Sequence, residues 1–221
     1  MSTSNTKTPE QSLALIPNHW ANIRSDESFF TSICKKLFWG GADDKEIANI
    51  LLSYIPYDFS GELLEMPLDT SLYSYEKYRE IREAKITCVD SDENKCNFIS
   101  DKMKTLKNVK CLKGEIENLD FPDNNFDIVL SMNGIHTYKD KEKAIKEIHR
   151  ILKKDGKFLC SFYIEGESFI TDSIVSYILV KKGLFVPPFY NRDNLRELLN
   201  SLFQNITYHI DGSIVYFICN K

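Results

Sequence analysis

Four stretches of the chain place acids or small polar residues directly after apolar, β-prone runs. Glu65 follows Leu63-Leu64 and leads into Met66-Pro67-Leu68-Asp69-Thr70-Ser71. Asp90 closes Ile86-Thr87-Cys88-Val89, with Ser91 and Asp92 next. Glu115 and Glu117 flank Ile116, and Ser131-Met132-Asn133-Gly134 ends a fourth run. An ionised carboxylate offers two oxygens and about four acceptor positions, enough for both hydroxyls of a vicinal diol such as ribose. An acid closing the second strand of a strand–helix–strand unit takes that role when a nucleoside binds. The competing reading is a helix cap, with Asp90, Ser91 or Asp92 satisfying the first amides of the next helix. Capping suits Asp92, and ribose binding suits Asp90.

The first loop discriminates between nucleoside ligands. A dinucleotide site needs glycines in the first strand–helix turn, because the backbone must come close to the phosphates. Here Pro67, Asp69 and Ser71 stand where a G-x-G-x-G spacing would put them, and Asp69 would oppose phosphate charge. S-adenosylmethionine has no phosphate. It carries a cationic sulfonium and an α-ammonium beside one carboxylate, which acids in the loop tolerate. The residues therefore favour S-adenosylmethionine over NAD, FAD or a nucleotide triphosphate.

These loops need elements to hold them. Residues 1–24 are polar and mixed and read as a lead-in. A first helix, capped by Ser25, carries Phe29, Phe30, Ile33, Leu37 and Phe38 on one face and stops at Gly40-Gly41. With Trp20, Phe29 and Phe30 form a candidate wall for an apolar acceptor pocket. Asp43 and Glu46 have capping-box spacing, and Ile47, Ile50, Leu51, Tyr54 and Ile55 make the next stripe before Pro56. From residue 61, strands expected at Glu62–Met66, Lys85–Val89, Val109–Leu112, Phe126–Met132 and Lys157–Tyr163 alternate with helices. The helices are expected over Leu72–Glu83, Glu93–Leu106, Lys139–Lys153 (stopped at Gly156), Glu167–Lys182 and Arg192–Phe203. Such alternation predicts right-handed βαβ units in a doubly wound α/β sheet. Asp211-Gly212 between two β-rich runs predicts a closing antiparallel hairpin. The division expected is a lead-in and helical cap over residues 1–58 and a core over 59–221.

Composition bounds the function. The chain has 221 residues, 43% hydrophobic and 27% charged, and Lys plus Arg total 28 against 32 acids, for a net charge of −4. The length fits one domain. The acidic balance argues against a dedicated nucleic-acid binder. The longest apolar stretches fall far short of the ~20 residues that span a bilayer, and the N-terminus lacks the apolar core of a secretory signal. Cys34, Cys88, Cys96, Cys111, Cys160 and Cys219 include no C-x-x-C pair, and His19, His136, His149 and His209 are dispersed. No metal site and a reducing, cytoplasmic location are expected.

The segment from Gly61 to Tyr163 resembles class I S-adenosylmethionine-dependent methyltransferases of the small-molecule kind. The resemblance is carried by Gly114-Glu115-Ile116-Glu117-Asn118-Leu119-Asp120-Phe121-Pro122, then Asn125-Phe126-Asp127-Ile128-Val129, His136, the helix Ala144–Leu152, and Leu152-Lys153-Lys154-Asp155-Gly156-Lys157-Phe158. It implies a Rossmann-like, mainly parallel seven-stranded sheet with a reversed last strand. It further implies that Glu65 orients the methionine portion and that Asp90, with Ser91 beside it, meets the ribose. Glu115 and Ile116 would lie along the adenine, while Ser131, Met132 and Asn133 line the cofactor and open onto a small-molecule acceptor. Pro67 replaces the family's first glycine in a familiar variant, whereas Asp69 and Ser71 depart from the pattern.

His136 stands where an acceptor would approach and is a candidate general base, with packing as the competing role. Tyr73, Tyr75 and Tyr78 read as packing residues, and Lys153-Lys154 as a solvated helix end. The expected function is in-line methyl transfer from S-adenosylmethionine to a small molecule. The alternative is a catalytically silent module that binds a partner or senses the cofactor.

Overall fold

The structure, a computed structural model, describes residues 39–68 and 72–221. The expected first helix, Trp20, Cys34, His19, Asp69 and Ser71 lie outside the described residues.

Seven strands form one sheet: β1 Glu62–Glu65, β2 Lys85–Asp90, β3 Val109–Lys113, β4 Phe126–Met132, β5 Leu152–Tyr163, β6 Gln204–Asp211 and β7 Ile214–Asn220. Their spatial order is β3-β2-β1-β4-β5-β7-β6. The first five run parallel, and β7 is antiparallel to both β5 and β6. The fold is therefore a Rossmann-like α/β sheet with a reversed C-terminal hairpin.

Side chains alternate across the central strands and are buried on both faces, as parallel strands covered on two sides must be. One face packs α1 (Asp44–Ser53), α2 (Tyr75–Glu80) and α3 (Glu93–Met103) through Leu51, Tyr78 and Ile99 against Leu63, Ile86 and Leu130. The other packs α4 (Lys141–Ile151) and α6 (Arg192–Leu202) through Ile145, Ile148 and Leu195 against Leu64, Val129 and Phe158. Asp43 caps α1 by accepting from the amides of Lys45 and Glu46, and α1 shares the apolar core of the sheet.

Several element boundaries depart from the sequence expectation, each for a local reason. The helix expected from Leu72 begins at Tyr75, because Leu72 adopts left-handed backbone with φ +56°. It stops at Glu80, where Ile81 leaves helical geometry (φ −86°, ψ 60°). α4 ends at Ile151 with Leu152 already extended, so Gly156 lies within β5 rather than terminating the helix. The extra residues are absorbed where the β4–β5 register shifts between Phe126 and Ile128. Lys153 is thus a strand residue whose Nζ donates to Asp127 at 2.7 Å, and Asp127 also accepts from the Glu62 amide at 2.8 Å. The helix expected over Glu167–Lys182 is α5, Phe169–Ile174, running into a wider π-helical turn over Val175–Leu179 that buries Val175 and Leu179. In the closing hairpin Asp211 still pairs with Ile214, so the two-residue turn is Gly212-Ser213, one position later than expected. Gly212 supplies the positive φ of +54°.

Candidate functional site

The sheet order reverses between β1 and β4, and in open parallel sheets the crevice beyond the carboxyl ends at such a point is where ligands bind. Four loops meet there. The Pro67 ring lies directly against Gly134 after β4, leaving no room for a side chain at that position. The Leu68 amide donates to Asp90 Oδ2 at 3.1 Å, tying the β1 loop to the end of β2. The Gly114 amide donates to the Asp90 carbonyl at 3.0 Å, bringing in the loop after β3. The Asn133 amide donates to the Ser161 carbonyl at 2.7 Å, fixing the end of β4 on β5.

Asp90 is 5% exposed and sits at the rim of this crevice. Its Oδ1 accepts from the Asp92 amide at 2.9 Å, and its Oδ2 also receives Lys95 Nζ at 3.4 Å. Asp92 caps α3 through the Asn94 amide, as its position suggests. Ser91 is exposed.

Glu65 is 2% exposed and turns beneath α2. Its carboxylate accepts from Tyr78 Oη at 2.8 Å and from Ser74 Oγ at 3.0 Å, with the Cys88 thiol 3.9 Å away. Burial, and then the charge of Glu65, push the Tyr78 phenol well above its ordinary range, so it stays a donor. Tyr78 is thus a clamp on the acid, a role beyond the packing its sequence context suggests. The signal was available: Ser74 and Tyr78 are four residues apart, one helical turn, and reach the same point.

Glu115 is exposed and Ile116 buried, the latter packed among Leu64, Met66 and Val89. Glu117 accepts from the Asp140 amide at 3.0 Å. Tyr138, which the motifs did not single out, faces the same acids. Burial first, and then Asp90, Cys160, Glu115 and Glu117, raise its pKa well above the usual value. These acids disfavour a further negative charge at Tyr138.

At the end of β4, Ser131 and Met132 are buried and Asn133 takes left-handed backbone with φ +53°. The Asn133 Oδ1 is buried without a hydrogen-bond partner; Ser131 Oγ has the Cys160 thiol beside it but no partner in good geometry. Buried acceptors are normally satisfied, so Asn133 Oδ1 at the end of β4 is open to a donor from outside the chain.

His136 is 3% exposed, stacked on Phe185 at 4.0 Å between centroids, with its Nδ1 accepting from the Tyr163 amide at 3.3 Å. Burial, then the neighbouring Lys141 ammonium, push it down to about 3. Its burial and stacking fit the packing role, and the lowered pKa makes the imidazole a weak proton acceptor. Lys141 Nζ, itself lowered to about 8 by burial, donates to the Tyr138 carbonyl at 2.8 Å and also to that of Val186, closing the 183–190 loop over His136.

Among the described residues no cluster of three potential metal ligands occurs, and no helix is long and apolar enough to cross a membrane.

Comparison with known proteins agrees with this architecture. Residues 71–160 match the family model described as a methyltransferase domain. The chain is 36% identical over 75 residues to the uncharacterized methyltransferase YcgJ of Bacillus subtilis (strain 168), covering 34% of this chain and 30% of that protein. The YcgJ crystal structure superposes with a TM-score of 0.62 over 74% of this chain and 69% of that one, at 20% identity. A demethylmenaquinone methyltransferase of Staphylococcus epidermidis is 35% identical over 78 residues, 35% of this chain and 32% of the relative. The sequence matches thus span about a third of these curated relatives. The structure of the [4+2]-cyclase SpnF shares the fold with a TM-score of 0.65 at 14% identity, over 80% of each chain. Residues 71–160 are thus similar to a methyltransferase domain, and the strand order is the fold shared with these structures.

Proposed function

We propose that the chain transfers a methyl group from S-adenosylmethionine to a small-molecule acceptor, with the cofactor across the β1–β4 crevice. The observation that carries this reading is Asp90, a buried carboxylate at the tip of β2 beside the topological switch point. The residues fit the group. Acids line the crevice as a cationic ligand requires, and the orphaned Asn133 Oδ1 is an acceptor for a donor such as an ammonium. In this reading Asp90, flanked by Ser91, takes the ribose hydroxyls, and Glu115 with Ile116 borders the adenine. Pro67, Ser131, Met132 and Asn133 line the portion nearest the acceptor. Glu65 acts at one remove, holding α2 and the first loop through Tyr78 and Ser74.

When bound, the cofactor supplies an electrophilic methyl on a sulfonium. The chain's own part is to orient the acceptor for in-line attack and to keep water out. His136, Tyr163, Phe185 and Phe189 form a packed aromatic cluster beyond β4 and β5, suited to the apolar floor of an acceptor pocket. The free thiols among the described residues are consistent with a reducing cytoplasm. An acceptor of the small-molecule kind, rather than nucleic acid, agrees with the acidic net charge.

Calorimetric titration with S-adenosylhomocysteine and S-adenosylmethionine tests the reading. Micromolar binding, weakened about tenfold or more by Asp90→Ala, is expected. Absence of binding at millimolar ligand would overturn it and favour the silent-module reading. Pro67, Asp69 and Ser71 in place of glycines, and the fold's use by a cyclase, support that second reading.

A further inference from the structure

Asp90 is nearly saturated before any ligand arrives. A carboxylate has about four acceptor positions, two on each oxygen. On Oδ1 the Asp92 amide takes one. On Oδ2 the Leu68 amide and the Lys95 ammonium take both. A vicinal diol binds a carboxylate through both oxygens and needs one open position on each. With Lys95 in place, only Oδ1 has one.

The two backbone donors are fixed by the fold, since Leu68 is buried beside Pro67 and Asp92 begins α3. Lys95 is different. Its side chain is 44% exposed and its contact is the longest of the three. It is also a cation in the first turn of α3, where the helix dipole disfavours positive charge. Asp90 is the carboxylate paired with it there.

We infer that Lys95 is a built-in competitor for the ribose subsite, holding the second acceptor position of Asp90 until a nucleoside diol displaces it. The inference rests on the assignment of Asp90 to ribose. Its consequence is selective: a ligand with both hydroxyls must expel the ammonium, whereas one lacking a hydroxyl can bind Oδ1 and leave Lys95 where it is. The free protein gains a neutralised acid at the crevice rim, and affinity for the full ribose is lowered by the exchange.

The test compares S-adenosylhomocysteine with its 2′-deoxyribose analogue by calorimetry on the full chain. Lys95→Met keeps the apolar stem and removes the charge. It should tighten the ribose ligand by about two- to fivefold, the scale of a half-exposed ion pair, and leave the deoxy analogue unchanged. Lys95→Arg should behave as the parent protein. Added potassium chloride should tighten ribose binding to the parent and not to Lys95→Met. Equal tightening of both ligands, or weaker binding by Lys95→Met, overturns the inference while leaving Asp90's role intact. If Asp90→Asn binds the ribose ligand as well as the parent does, the ribose assignment falls and the competition falls with it. These outcomes are distinguishable because only the second involves position 90.

Discussion

The Tyr78 hydroxyl donates a 2.8 Å hydrogen bond to the carboxylate of Glu65, joining the first turns of α2 to the last residue of β1. Both groups are buried, so the bond is poorly replaced by water. Tyr78→Phe removes this donor and leaves Ser74 Oγ, at 3.0 Å, among the groups on Glu65. Destabilisation of about 1–3 kcal/mol is expected, read as a lower urea midpoint with an unchanged slope. An unaltered midpoint would show that the phenol contributes by packing alone.

Gly134 is required by its neighbour rather than by its own dihedrals. A Cβ there would collide with the Pro67 ring and crowd Ser131 Oγ. Gly134→Ala must therefore push the β1 and β4 loops apart. The variant should lose about 1–3 kcal/mol of stability and about tenfold in nucleoside affinity. Thermal denaturation and calorimetry separate the two effects.

His136 sets a pH dependence. Its imidazole takes up a proton near 3 when folded and near 6.5 when unfolded. Between those values the unfolded state binds more protons, so stability falls as pH falls. The loss steepens through pH 6.5 toward about 1.4 kcal/mol per pH unit a unit or more below it. Urea titrations at pH 7.0, 6.0 and 5.5 should show that slope in the parent protein, and His136→Gln should flatten it.

Gly212 opens the last hairpin with φ +54°, and a Cβ there would strike the carbonyls of Trp39 and Gly40. Gly212→Ala should cost about 2–3 kcal/mol, measured by chemical denaturation. A variant as stable as the parent would show that the Trp39–Gly40 segment can move aside.

Much of the fold was legible because hydrophobic periodicity is local. β4 appears at Phe126–Met132 as read from its apolar run, and Asp43 and Asp92 cap the helices their positions suggest. The misplaced boundaries arise where tertiary packing outweighs local pattern. Leu72 surrenders helical geometry, and Leu152 enters a strand two residues after Arg150 anchors the carbonyls of Leu119 and Phe121. The acids of the crevice could be located from strand ends, but their occupancy could not. That Lys95, Leu68 and Asp92 converge on one carboxylate depends on how three loops fold together. The burial of His136 was equally hidden, because sequence conveys residue type and not surroundings.

The central placement of β1 has a consequence for assembly. β1 pairs with β2 on one edge and β4 on the other, so the Pro67–Gly134 contact joins segments from opposite halves of the chain. A nascent polypeptide emerging only as far as Asp120 would already possess Glu65 and Asp90, yet the wall that faces them would not exist. Nucleoside capture should therefore switch on late in synthesis, once β4 has threaded in beside β1, making ligand retention a direct gauge of whether the two halves have come together.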